Sequence, residues 1–141
     1  MLLHWGEVYQ TGYPEIDAQN KCMIDVLNVL HEAIEAESDY QTIDRILGLI
    51  TELAPDHFQV EEYLLEGADD FRKTENHLAH LEFLRMLREL RRSCSPESYN
   101  QSETIDLYYE IIYWFKDHLL SIDIPNLRRL QSPITPPVIS N

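Results

Sequence analysis

Four stretches of this chain carry apolar residues at alternating spacings of three and four, the period of one buried face of an α-helix. The first seam steps from Ile16 through Asn20, Met23, Leu27, Leu30 and Ile34. The second runs through Ile43, Ile46, Ile50, Leu53, His57, Glu61 and Leu64. The third takes Asn76 or His77, then His80, Phe83, Leu87 and Leu90. The fourth takes Ile105, Tyr108, Ile111, Phe115, His118 and Ile122. Seams of this length are what helices packed side by side require. With only 4 glycines in 141 residues, a turn-rich β fold is disfavoured. The expected fold is therefore all-α, an up-down-up-down four-helix bundle entered through an N-terminal arm.

Local signals divide the chain further. The arm covers residues 1 to about 15 and ends in the turn Gly12-Tyr13-Pro14. Helices are expected over about 16–37, 40–66 and 69–92, with Asp39 capping the second and Gly67 stopping it. Pro55 should kink the second helix just before His57. The fourth helix should open at Ser95-Pro96-Glu97, an N-cap followed by proline and an acid, and end at Ile124-Pro125. The bundle domain is thus placed at 1–125. The segment 126–141, with Pro133, Pro136 and Pro137, has no period and is expected to be a loosely docked extension or a linker.

Charge and cysteine content narrow the function. The balance of 11 Lys+Arg against 25 Asp+Glu gives a formal net charge of -14, which argues against nucleic acid or an anionic membrane as a partner. No stretch approaches the roughly 18 apolar residues of a membrane helix. Two cysteines, Cys22 and Cys94, make no disulfide framework and no zinc-ribbon spacing. A start lacking the features of a signal peptide completes the expectation of a reduced, cytoplasmic protein.

The informative residues are the polar ones that interrupt the seams. His57 and Glu61 stand at i, i+4 and share a helix face. His80 lies on the third seam, with Asn76 four before it and His77 three before it. His118 lies on the fourth, with Asp123 close behind. Buried imidazoles and carboxylates must find one another, a water or a metal ion. A single seam histidine is more often a satisfied core residue than a ligand. Three helices contributing one each resemble bundle proteins that hold metal in the core. The ferritin-like Glu-x-x-His signature is missing, because Asn28, Ala54, Thr74, His77 and Phe115 precede the histidines from His31 onward by three.

These residues resemble the hemerythrin family over most of the chain. Trp5, then Gly12-Tyr13, Ile16-Asp17 and Gln19-Asn20-Lys21 are similar to the family's opening of Trp, Gly-Ile, Ile-Asp and Gln-His-Lys. His57-Phe58-x-x-Glu61-Glu62, His80-x-x-Phe83 and Trp114-Phe115-x-x-His118-Leu119-x-x-x-Asp123 resemble its later motifs, in the same order. The resemblance implies a four-helix bundle around a non-haem di-iron site that binds O2. It implies His57 on the iron where O2 binds, His80 and His118 on the other iron, and Glu61 and Asp123 as bridges. Two positions depart from the pattern: Asn20 and Asn76 stand where the family has histidine. His77 could replace the latter by swinging inward. Two irons, one metal held by Glu61, His80, His118 and Asp123, or none all remain open.

The expected function is a hemerythrin-like protein that binds non-haem metal, with iron as the cofactor and O2 or another small ligand as its partner. Its role would be O2 binding, sensing or iron handling, with an altered ligand set. Because no nucleophile, general base and substrate pocket can be assembled from the sequence, no enzymatic turnover is expected. The alternative is a metal-free bundle serving as an interaction module.

Overall fold

The computed structural model describes residues 3–67, 70–97 and 99–131. Its long helices are α1 (Pro14–Glu35), α2 (Tyr40–Leu64), α3 (Asp70–Ser93) and α4 (Gln101–His118). From α4 the chain continues through a π turn, Leu119–Asp123, into a short helix α5 (Ile124–Gln131). No strand occurs among the described residues. α1 packs on α2 and α4, and α3 packs on the same two, so the four helices close into a ring. With short connections between successive helices, this is the up-down-up-down bundle that the seams imply.

Local chemistry explains the helix ends. Pro14 opens α1, followed by Glu15 and Asp17 in its first turn, where acids suit the positive end of the helix. α1 closes as the Ser38 N–H reaches back to the Ala33 carbonyl, 3.0 Å away. That closure holds Glu37 at φ 54, a left-handed conformation usually given to glycine. Asp39 caps α2 by accepting from the Thr42 N–H at 2.8 Å. Pro55 lies inside α2, which stays helical from Tyr40 to Leu64 and passes into a single 3-10 turn, Leu65–Gly67.

Three sequence expectations are corrected. α4 begins not at Ser95 but at Gln101, after Asn100 has capped it by accepting from the Glu103 N–H at 3.1 Å. Asn100 and Glu103 have capping-box spacing. Ser95 instead anchors a turn, its carbonyl accepting from the Tyr99 N–H at 2.9 Å. On α2 the buried residues are Leu47 and Ala54, while Ile46 is half-buried and Leu53 exposed. The buried series 43, 47, 50, 54, 57, 61 steps by 4,3,4,3,4, a more regular stripe than the one through 46 and 53.

The third correction concerns the end of the bundle. Ile124 is helical at φ -62, ψ -49, and α5 runs through Pro125 to Gln131. A proline in a helix clashes with the carbonyl four residues earlier, here Ser121. The wider π turn lies at that point and supplies the room. Residues 126–131 are therefore helical; the rest of the expected tail, 132–141, lies outside the described residues. Arg128 of α5 donates to the Gln10 carbonyl at 2.9 Å and the Glu7 carbonyl at 3.3 Å, fastening the arm. The arm's other end is held by Asn28, which exchanges two hydrogen bonds with the Leu3 backbone.

The core is divided along its length. Ile34, Ile43 and Leu90 fill one end together with other apolar side chains, each worth about 1.5–3 kcal/mol when fully buried. The antiparallel order brings the start of α1, the end of α2, the start of α3 and the end of α4 to the opposite end. All the polar interruptions of the seams meet there.

Candidate metal centre

Four helices and one π turn build the polar end. Asn20 of α1, His57 and Glu61 of α2, Asn76 and His80 of α3, and His118 of α4 are all buried, as is Asp123. Five residues along a regular α-helix turn the chain by about 140° past one revolution, so Asp123 would point away from the His118 face. The i→i+5 repeat of the π turn removes that mismatch. Asp123 Oδ1 accordingly lies 3.0 Å from His118 Nε2.

Glu61 is the hub. One carboxylate oxygen lies 2.7 Å from His57 Nε2 and the other 3.2 Å from His80 Nε2. Glu61, His80, His118 and Asp123 each offer a ligand atom within 4.8 Å of the other three. Glu61 Oε1 and Oε2, His80 Nε2, His118 Nε2 and Asp123 Oδ1 have no hydrogen-bond partner despite these short distances. Each such buried polar atom would forfeit about 1–3 kcal/mol if nothing completed its bonding. Two imidazoles and two carboxylates with lone pairs converging on one point are a donor set that fits a first-row divalent metal. The residues present therefore fit a metal ion.

Electrostatics in the centre follow from burial and crowding. Burial opposes the charged form of Glu61, but the His57 and His80 imidazoles outweigh it and hold the carboxyl well below the usual range. Burial, reinforced by the Glu61 charge, pushes Asp123 up to about 6 against the pull of His118. Burial works against protonating His57 and His118, yet the neighbouring carboxylates raise both. Without metal, the centre balances two negative groups by holding protons on imidazoles; a divalent cation would supply that charge instead.

The remaining candidates divide sharply. His57 stands at the edge of the four-residue cluster, in contact with Glu61 through Nε2. His77 does not swing inward: its side chain is 57% exposed and paired with Glu62, because α3 stays regular and leaves position 77 beside the inner face. Asn20 and Asn76 are fully buried, and neither atom of either amide has a hydrogen-bond partner among the described residues.

Several supporting residues have no signature in the seams. Gln19 accepts from the His57 Nδ1–H at 2.8 Å, which fixes the tautomer and directs Nε2 at Glu61. Phe58 stacks on His80 with ring centroids 3.9 Å apart, and Trp114 stacks on His118 at 4.7 Å. These rings keep the imidazoles in place and exclude water. Asp17 accepts from both the N–H and the hydroxyl of Thr11, at 2.7 and 2.8 Å, and so ties the arm to the first turn of α1.

Comparison with known proteins agrees with this geometry. Residues 11–124 match the family described as Hemerythrin HHE cation binding domain. Bacteriohemerythrin from Pseudomonas paraeruginosa is 28% identical over 89 residues, which are 63% of this chain and 58% of that protein. The match thus spans less than two thirds of the relative's length. No described helix is long and apolar enough to cross a membrane.

Proposed function

The chain belongs to the hemerythrin family, and from that premise we propose that it holds one non-haem iron ion through Glu61, His80, His118 and Asp123 and uses it to bind or sense O2. The observation that carries the reading is the set of four buried ligand atoms within 4.8 Å of one another, unsatisfied by hydrogen bonds. Iron, when bound, supplies an electrophilic centre with positions left for a small ligand.

The chain's own residues do the rest. Glu61 and Asp123 neutralise the cation from two helices. Trp114 and Phe58 hold His118 and His80 edge to face at 5.0 Å. Gln19 and Glu61 fix His57 beside the centre. Asn20 and Asn76 offer amides, which are weaker donors to iron than imidazoles, and so favour one metal over two. We read the role as binding rather than turnover.

Metal analysis tests the reading. Protein purified without chelator should carry about one iron per chain, and chelator should lower its melting temperature. Protein free of metal, with a melting point indifferent to chelator and to added iron, would overturn the proposal in favour of a metal-free interaction module.

A further inference from the structure

A cavity of about 520 Å³ opens between α2 and α3 beside the metal centre. Its lining includes Gln59 and Glu62 from α2 and Thr74, Asn76 and His77 from α3. Two of these residues adjoin the centre itself. Asn76 precedes His80 by one helical turn, so the two buried side chains share one face of α3. Glu62 Oε2 lies 3.6 Å from His80 Nδ1. The cavity wall is therefore also the outer support of a candidate metal ligand.

Asn76 is fully buried, and neither its carbonyl oxygen nor its amide nitrogen has a partner among the described residues. A buried amide with both ends unbonded is incomplete without a polar group beside it. The groove on the other side of the centre is smaller, about 200 Å³, and ends on His57. There Nδ1 of the ring is already bonded to Gln19, and Nε2 lies 2.7 Å from Glu61 Oε1.

We propose that the metal takes its exogenous ligand on the Asn76 side, and that a neutral diatomic gas reaches it through the α2/α3 cavity and accepts a hydrogen bond from Asn76 Nδ2. This rests on the reading that Glu61, His80, His118 and Asp123 hold iron. Glu62 and Glu66 outnumber Lys73 at the cavity, and together with the net charge of -14 they disfavour entry of an anion, which selects a neutral ligand. Asn76 is short enough to leave a coordination position open beside His80, where a histidine would close it. The amide then serves as a donor to the outer atom of the gas.

The test uses the ferrous-loaded full chain, with nitric oxide as the probe under anaerobic conditions. Iron content is measured first; the Fe–NO electron paramagnetic resonance signal and stopped-flow association are read next. Wild type and Glu37→Gly, a change remote from the centre, should bind nitric oxide alike. Asn76→His should keep its iron and lose nitric oxide affinity about tenfold or more. Thr74→Trp, which narrows the cavity from an exposed position, should slow association about fivefold with affinity unchanged. Iron-loaded Asn76→His that binds nitric oxide like wild type would overturn the proposal. A wild-type chain that holds no iron fails at the first measurement, which marks the failure of the underlying metal reading and takes this proposal with it.

Discussion

Asp123 Oδ1 lies 3.0 Å from His118 Nε2 although the two residues are five apart in one helical run. The contact joins a carboxyl that burial pushes up to about 6 to an imidazole that the carboxyl holds above its ordinary range. The two effects have opposite consequences with and without metal.

Asp123→Asn separates them. The substitution keeps the shape and removes the charge. Metal affinity should fall about 100-fold or more, since a ligand should matter at least as much as the supporting partners of ligands do. The metal-free protein should melt no lower than wild type near neutral pH, because an ionised carboxylate no longer has to be buried there. Competition with a chromophoric chelator reads the first effect and calorimetry on chelated protein reads the second. A metal affinity equal to wild type would remove Asp123 from the site.

The pH dependence of stability should reverse on metal loading. His57 and His118 have folded values above their ordinary 6.5, so their contribution is complete below that value and is lost as pH rises through the folded values. Asp123 is raised from 3.8 to about 6, so its contribution is likewise lost as pH rises through that interval. Glu61 is lowered, so its contribution is lost only in strong acid. Chelated protein should therefore lose stability as pH rises from 3.8 through about 6, where Asp123 ionises, and again above 6.5, where His57 and His118 give up their protons. Metal-loaded protein should gain stability over the same interval, because protons compete with the ion for His118 and Asp123. Parallel slopes in the two states would contradict metal binding at these residues.

Restoring the two missing imidazoles should raise the metal count. Asn20 and Asn76 are fully buried at the polar end of the core. The double change Asn20→His with Asn76→His should increase iron from about one to about two per chain, with an oxo-bridged absorption under O2. An unchanged count in a well-folded double variant would show that the second position has been repacked around His57.

Glu37 gives a prediction independent of the centre. Its φ of 54 costs a side-chain-bearing residue about 1–2 kcal/mol. Glu37→Gly removes that strain and adds flexibility to the unfolded chain, for a net gain of about 0.5–1 kcal/mol. Denaturant melts should show a raised midpoint with an unchanged slope and an unchanged metal content.

The bundle was legible in the sequence wherever one stripe alone could face the core. On α1 each of the six seam residues from Ile16 to Ile34 is buried. On α2 two adjacent stripes competed, and only packing selects Leu47 and Ala54 over Ile46 and Leu53. At the start of α4, Ser95-Pro96-Glu97 carries the local signals of a helix start, but the chain makes a turn there and Asn100 caps the helix instead. The polar residues of the centre were legible because they broke apolar seams. Gln19, Phe58 and Trp114 were not legible as its supports, since a glutamine beside a seam and an aromatic on one are what any helix presents. Pro125 misled because the π turn that accommodates it has no signature in residue type.

That π turn has a consequence for the length of the chain. A π turn is an α-helical turn carrying one extra residue, and its exposed face includes Ser121. Deleting Ser121 would convert the turn to regular α-helix and bring the aspartate to the fourth place after His118, still on the same face. Elsewhere in the bundle the loss of one residue would rotate every downstream side chain out of the core. Here the frame can shift by one and the two groups still meet, but the room that the π turn gives Pro125 would be lost, so the extra residue serves the proline as much as the aspartate.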